Sequence, residues 1–178
     1  MKIKRLIIGN LETNCYLLIS EKELAVVDPG GEAEEILKEI DFEKAKVKYI
    51  INTHYHPDHV LGNEKIKEKT GAKILIHEAE KDFVNFPVDE FLKDGEEIKI
   101  GESILRVLRT PGHTKGSICL IGENFIFTGD TLFKDGYGRT DLPGGSRKEM
   151  EESLEKLSKL SQSGIMIYPG HGEIFKYK

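Results

Sequence analysis

Thr53-His54-Tyr55-His56-Pro57-Asp58-His59 follows directly on the apolar run Val47, Tyr49, Ile50 and Ile51. Four side chains able to hold a metal, His54, His56, Asp58 and His59, fall within six residues there. In an extended segment alternate side chains point the same way, so this spacing lets His54 and His56 reach one ion while Asp58 and His59 turn towards a second. Imidazole suits zinc, iron and nickel, and a carboxylate adds hardness and charge. The stretch reads as a two-metal cradle delivered by a strand, too dense in ligand types for histidines scattered over a surface.

Working outward, the chain offers further ligands at similar places. His113 and His171 each sit in a Gly-containing turn, Pro111-Gly112-His113 and Pro169-Gly170-His171-Gly172. Asp130, in Thr128-Gly129-Asp130-Thr131, follows the apolar run Phe125, Ile126, Phe127. Each candidate lies where a strand gives way to a loop, which is where rigid scaffolds present reactive groups. His77, beside Glu78, Glu80 and Asp82, stands outside the pattern and reads as a surface or structural histidine opening a helix. Asp28, in Asp28-Pro29-Gly30-Gly31, also ends a strand, and reads either as a turn residue or as a group that positions the metal site.

The 178 residues suit a single domain, 1–178, with a substantial core. No stretch approaches the roughly 20 apolar residues of a membrane helix, and Met1-Lys2-Ile3-Lys4-Arg5 leads into a strand-like run without a small-residue cleavage site, so the expectation is a cytoplasmic protein. A net charge of −5, with 26 basic and 31 acidic residues and no long block of either sign, argues against nucleic-acid binding. Cys15 and Cys119 lie in apolar runs and read as buried free thiols. The abundance of Lys and Glu, with one Gln and no Trp, fits a heat-adapted source.

Three short strands, Ile3 to Ile8, Cys15 to Ser20 and Leu24 to Val27, are expected to open an antiparallel sheet, and Glu32 to Ile40 to form a helix. Val47 to Asn52 delivers the cradle. Asn63 to Thr70 is a helix closed by Gly71, Lys73 to Ile76 a strand, and Phe83 to Phe91 an irregular connection. Glu97 to Ile100 with Ser103 to Arg109, and Ser117 to Ile121 with Asn124 to Thr128, form hairpins. Lys134 to Gly145 is a loop at the rim of the site, Ser146 to Leu160 a helix with a Ser146/Glu149 capping box, and Ile165 to Tyr168 the last strand. Strand pairs with a few interspersed helices favour an α+β fold of two sheets packed face to face with helices outside.

With these residues in hand, the chain resembles the metallo-β-lactamase superfamily over nearly its whole length. The resemblance rests on His-x-His-x-Asp-His after a strand, Pro-Gly-His-Thr, Gly-Asp-Thr and Pro-Gly-His-Gly, in the family's order. It implies a four-layer αββα sandwich with the site at the sheet edges. It also implies a ligand set: His54, His56 and His113 for one metal, Asp58, His59 and His171 for the other, and Asp130 bridging. True β-lactamases usually lack the second cradle His and carry Cys in place of Asp130. The pattern is more similar to the glyoxalase II group of hydroxyacylglutathione hydrolases. The loop Gly138-Arg139-Thr140-Asp141-Leu142-Pro143-Gly144-Gly145 is similar to that of short, stand-alone members, so the expectation is a protein lacking the C-terminal helical domain that helps full-length members bind glutathione.

The resulting expectation is a hydrolase with two divalent ions, zinc first and iron or manganese next. It would act on a small-molecule thioester such as S-lactoylglutathione by attack of a metal-bridging hydroxide, with Asp58 as the catalytic residue that orients it. Arg139 and Tyr137 are the candidate substrate contacts, Tyr55 is expected to pack, and Thr53, Thr114 and Thr131 to steady their neighbouring ligands. The alternative is an iron-dependent persulfide dioxygenase, which the Gly-Arg-Thr-Asp loop also resembles and which would use His54, His113 and Asp130 alone. Lactone or phosphodiester hydrolysis is possible on the same scaffold. A non-catalytic metal-binding module would be expected to have lost a ligand position, and all seven are present.

Overall fold

A computed structural model describes residues 1–31, 33–160 and 164–177; Glu32, at the start of the first expected helix, lies outside them, as does the side chain of Leu160. The first sheet consists of β1 (Lys2–Ile8), β2 (Thr13–Ser20), β3 (Glu23–Val27), β4 (Lys46–Ile51), β5 (Lys73–His77) and β6 (Glu90–Leu92), in that spatial order. The second consists of β7 (Glu97–Ile100), β8 (Ser103–Arg109), β9 (Ile118–Ile121), β10 (Phe125–Gly129), β11 (Met166–Pro169) and β12 (Phe175–Lys176), again neighbours in chain order. Each sheet begins antiparallel. The first turns parallel from β3 to β6, and the second is parallel only between β10 and β11.

Side-chain alternation sets the layering. On β2, Tyr16 and Leu18 join Val27, Ile51 and Leu75 on a face that meets Ile98, Leu105, Val107, Leu120 and Phe127 of the second sheet. Cys15, Leu17 and Ile19, the intervening residues, point the other way, onto Ile36 and Ile40 of α1 (Ala33–Glu43) and Ile66 of α3 (Asn63–Thr70). Beyond the second sheet, Leu108, Cys119, Ile126 and Ile167 pack on Leu157 of α4 (Arg147–Leu160). Helix, sheet, sheet and helix thus form the four layers expected. A strand sealed on both faces contributes roughly 1.5–3 kcal/mol per large apolar side chain, and every residue of β2 is buried.

Several details differ from expectation. The stretch after His77 makes only a single 3-10 turn, Glu78–Glu80, and not a helix. Two short strands, β6 and β12, were not foreseen. Phe91 of β6 is partly exposed, and its segment is recognisable only by its parallel backbone pairing with β5. Ser146 caps α4 by accepting from Glu149 N, but its own N–H goes to Gly112 O, so only half of the capping box forms. Among the described residues no helix is long and apolar enough to cross a membrane. Cys15 and Cys119 are buried free thiols, as expected.

Candidate metal centre

All the candidate ligands leave strands at one edge of the sandwich. His54, His56, Asp58 and His59 follow β4, His113 follows β8, Asp130 follows β10 and His171 follows β11. The cradle is not extended throughout, as the sequence reading had it. Pro57 opens a helical turn, α2 (Pro57–Val60), because its fixed φ and missing N–H suit the first helical position. That turn swings His59 into full burial and leaves Asp58 half-buried at the mouth. A buried amide pair, Asn52 with Asn63, holds the turn, and Asn52 Nδ2 also donates to His59 O at 3.0 Å.

Three groups of ligand atoms converge: His54 with His56 and His113, His54 with His59 and Asp130, and Asp58 with His59 and His171, the atoms of each group lying within 4.8 Å of one another. His56 Nδ1 faces His113 Nε2 at 2.8 Å, and His59 Nε2 faces His171 Nε2 at 3.3 Å. Asp130 stands between the two sides. Its Oδ2 lies 3.4 Å from His113 Nε2 and 3.7 Å from His171 Nε2, and its Oδ1 lies 3.5 Å from His59 Nε2. Asp58 Oδ2 is 3.2 Å from His171 Nε2 and 3.4 Å from His59 Nε2. Gly170 permits this convergence, since a Cβ there would sit 2.3 Å from Asp130 Oδ1.

The far nitrogen of each ring explains its orientation. His113 Nδ1 donates to Arg139 O at 2.7 Å and His171 Nδ1 to Leu11 O at 3.0 Å. His59 Nδ1 lies 3.0 Å from Asp28 Oδ2. Thr53 Oγ1 spends its proton on Asp28 Oδ2 at 2.7 Å, so at 3.1 Å it accepts from His54 Nδ1. Oxygen acceptors therefore hold the proton on Nδ1 of His54, His113 and His171 and turn their Nε2 lone pairs inward, the arrangement that metal-binding histidines require, while Asp28 faces the same nitrogen of His59 as an ion-pair partner. His56 is reversed and offers Nδ1. The donor set fits divalent cations: His54 Nε2 and Asp130 Oδ1 are buried acceptors with no hydrogen-bond partner among the described residues, a costly state unless a cation meets them.

Charge divides the centre in two. Burial, reinforced by His59, His113 and the other rings, pushes His54 well below the ordinary histidine range, and burial with His113 takes His56 down to about 4. Burial also works against charge on His59, but Asp28 and then Asp130 outweigh it and raise His59 to about 9. His171, likewise opposed by burial, is raised by its bond to Asp58. Asp58 would be raised by burial, yet His171 and His59 hold it well below the usual carboxylate range. One side thus offers neutral imidazoles and the other an ion-paired network.

Supporting residues not anticipated from the sequence surround the ligands. Thr13 Oγ1 donates to Asp58 Oδ2 at 3.2 Å. Asn14 Nδ2 and Tyr16 OH both donate to Pro169 O, at 3.0 and 2.7 Å, and so secure the turn that carries His171. Asp28 is both of the things considered for it: it sits in a turn at φ 53, and its carboxylate accepts from Thr53 N and Thr53 Oγ1 while facing His59. Thr53 touches a ligand; Thr114 and Thr131 instead bond Ser117 and Thr110 and steady their loops. His77 is buried and structural, its Nδ1 accepting from Ala79 N. The Arg139 side chain makes a bidentate pair with Asp141, while its carbonyl holds His113; Tyr137 is exposed. Tyr55 packs against Phe83, with ring centroids 4.9 Å apart.

Residues 8–171 match the model of the metallo-beta-lactamase superfamily, and the chain belongs to that family. It is 37% identical to the hydroxyacylglutathione hydrolase of Pelagibacter ubique, over 88% of this chain and 65% of that one. Its backbone is similar to the crystal structure of BLEG-1 B3 metallo-beta-lactamase, with TM-score 0.92, 26% identity and coverage of 98% of this chain and 94% of that one. It is also similar to TTHA1623 in a di-iron-bound form, with TM-score 0.88, 26% identity and coverage of 97% and 94%. These findings place the chain among the metallo-hydrolases.

Proposed function

We propose that this chain is a dinuclear metal-dependent hydrolase of small-molecule thioesters, with S-lactoylglutathione as the first substrate to try. The observation that carries the reading is the inward convergence of seven His and Asp side chains, three of whose rings, His54, His113 and His171, are turned inward by oxygen acceptors behind their Nδ1 atoms. In this reading His54, His56 and His113 hold one divalent ion, Asp58, His59 and His171 the other, and Asp130 lies against both. The di-iron form of a structural relative supports two ions, and zinc or iron would satisfy this nitrogen and carboxylate set. When bound, such a pair lowers the pKa of a water towards about 7 and polarises a carbonyl.

The remaining steps belong to the chain. Asp58, held ionised by His171 and His59 and fixed by the Thr13 hydroxyl, orients the attacking water by accepting its hydrogen bond. Its low proton affinity suits orientation more than storage of a proton. A thioester needs little help in departing, because a free thiol has a pKa of about 8.5 and leaves as thiolate. The ring N–H groups of His113 and His171 are taken by backbone carbonyls, so neither is free to protonate an amine leaving group. That balance favours thioesters over amides.

The test is release of thiol from S-lactoylglutathione by zinc-loaded protein, paired with oxygen uptake by iron-loaded protein on glutathione persulfide. Zinc-supported hydrolysis that collapses in Asp58→Ala is the expected result. Oxygen uptake with iron and no hydrolysis with either metal would replace this reading by the dioxygenase one.

A further inference from the structure

Glu80 is fully buried, forms no ion pair among the described residues, and takes no part in the chemistry above. An isolated buried carboxylate is expensive, so its contacts must explain it. Its two oxygens divide between the two loops that carry the first group of histidines. Oε2 accepts from Tyr55 N at 2.9 Å, between His54 and His56, and Oε1 accepts from Gly116 N at 2.5 Å, three residues beyond His113.

The turn that carries Glu80 is itself fixed. His77 Nδ1 accepts from Ala79 N, and Phe83 N donates to Glu80 O at 2.8 Å. Phe83 then stacks on the Tyr55 ring, so one turn grips Tyr55 by backbone and by side chain. On the opposite side the fit requires glycine: a Cβ at Gly116 would lie 2.5 Å from Glu80 Cγ. An apolar residue at position 80 would fill the core without the charge, but it would strand the N–H groups of both loops.

We propose that Glu80 is a positioning residue, a carboxylate clasp that fixes the His54/His56 loop and the His113 loop at the separation their shared ion needs. The proposal rests on the metal-centre reading above, but it needs no assumption about substrate. Glutamine keeps the shape of the side chain and offers only one acceptor oxygen, so one loop must lose its anchor.

The experiment loads the full chain with cobalt(II) and reads two quantities: the visible absorption of the bound ion and its retention against a competing chelator. Glu80→Gln and Gly116→Ala are each expected to lower cobalt affinity by about 10–100-fold, the usual effect of losing a partner behind a ligand, and to change the visible bands. The double variant should lose little more than either single one, because both open the same clasp. Glu78→Gln, on the exposed side of the same turn, should match the parent. If Glu80→Gln fails to fold, Gly116→Ala carries the same test. Parental spectra and retention in these variants, even with a lowered melting temperature, would reduce Glu80 to a core acid and overturn the proposal. A parent chain that takes up no cobalt would instead overturn the metal-centre reading beneath it.

Discussion

Asp28 Oδ2 and His59 Nδ1 lie 3.0 Å apart at the floor of the centre, both sealed from solvent. The same carboxylate anchors Thr53, and through it His54, so one acid sets ring orientation on both sides of the site. Asp28→Asn should weaken metal binding by about 10–100-fold. Asp28→Ala should in addition cost about 1–3 kcal/mol by leaving the buried Thr53 N–H without an acceptor. Metal titration separates the first effect, and chemical denaturation of chelated protein measures the second.

Removing a ligand from one side should leave the other able to bind. His59→Ala is expected to reduce the metal content by about one ion per chain, since a site of this kind needs three protein ligands. Elemental analysis after gel filtration reads the stoichiometry, and an unchanged count would contradict the two-ion assignment.

Stability of chelated protein should fall on both sides of neutrality. His54 and His56 are held below their unfolded value near 6.5, so the unfolded chain takes up protons first and stability declines as pH falls from about 6.5 towards about 4. His59, raised to about 9, acts in the opposite sense: its contribution is complete below about 6.5 and is lost as pH rises through about 9. Thermal melts in chelator from acid to alkaline pH should trace this dome, and a flat profile would show that neither burial at His54 and His56 nor the carboxylates beside His59 shift these rings.

Arg139 is bound to Asp141 on the surface, and only its main-chain carbonyl reaches the centre. Arg139→Ala should keep full metal content and leave the melting temperature near the parent's, because the exposed pair with Asp141 is screened by solvent. A rise in KM confined to substrates with a carboxylate would identify the guanidinium as a substrate contact; equal KM values would leave it as a brace for the loop.

Cys119 is buried, and burial pushes its thiol up to about 11. Native protein should therefore react with a disulfide dye orders of magnitude more slowly than free cysteine, and unfolded protein should titrate two thiols, the number in the sequence. Fast labelling of the folded chain at Cys119, located by peptide mapping, would mean that the second sheet opens readily.

How much of this could be read in advance depends on whether the signal was local. The ligands after β4 announced themselves by their density within six residues, His113, Asp130 and His171 by the glycine beside each, and β7 and β8 because alternation and Gly101 mark a hairpin. Thr13, Asn14 and Glu80 gave no such mark. They act on residues far along the chain, at Asp58, Pro169 and Gly116, and only packing brings them there. Pro57 was visible in the sequence, and its preference for opening a helix could have replaced the extended reading of the cradle. β6 and β12 are strands by virtue of their neighbours, with too few residues to show a pattern of their own.

The placement of the ligands on both sheets has a mechanical consequence. His54 and His59 hang from the first sheet, and His113, Asp130 and His171 from the second. Ions held among them would act as rivets through one rim of the sandwich, closing a circuit that includes most of the chain. Pulling the sheets apart would then break coordinate bonds before it exposed the apolar interior, so occupancy at one edge should govern how often the opposite edge breathes.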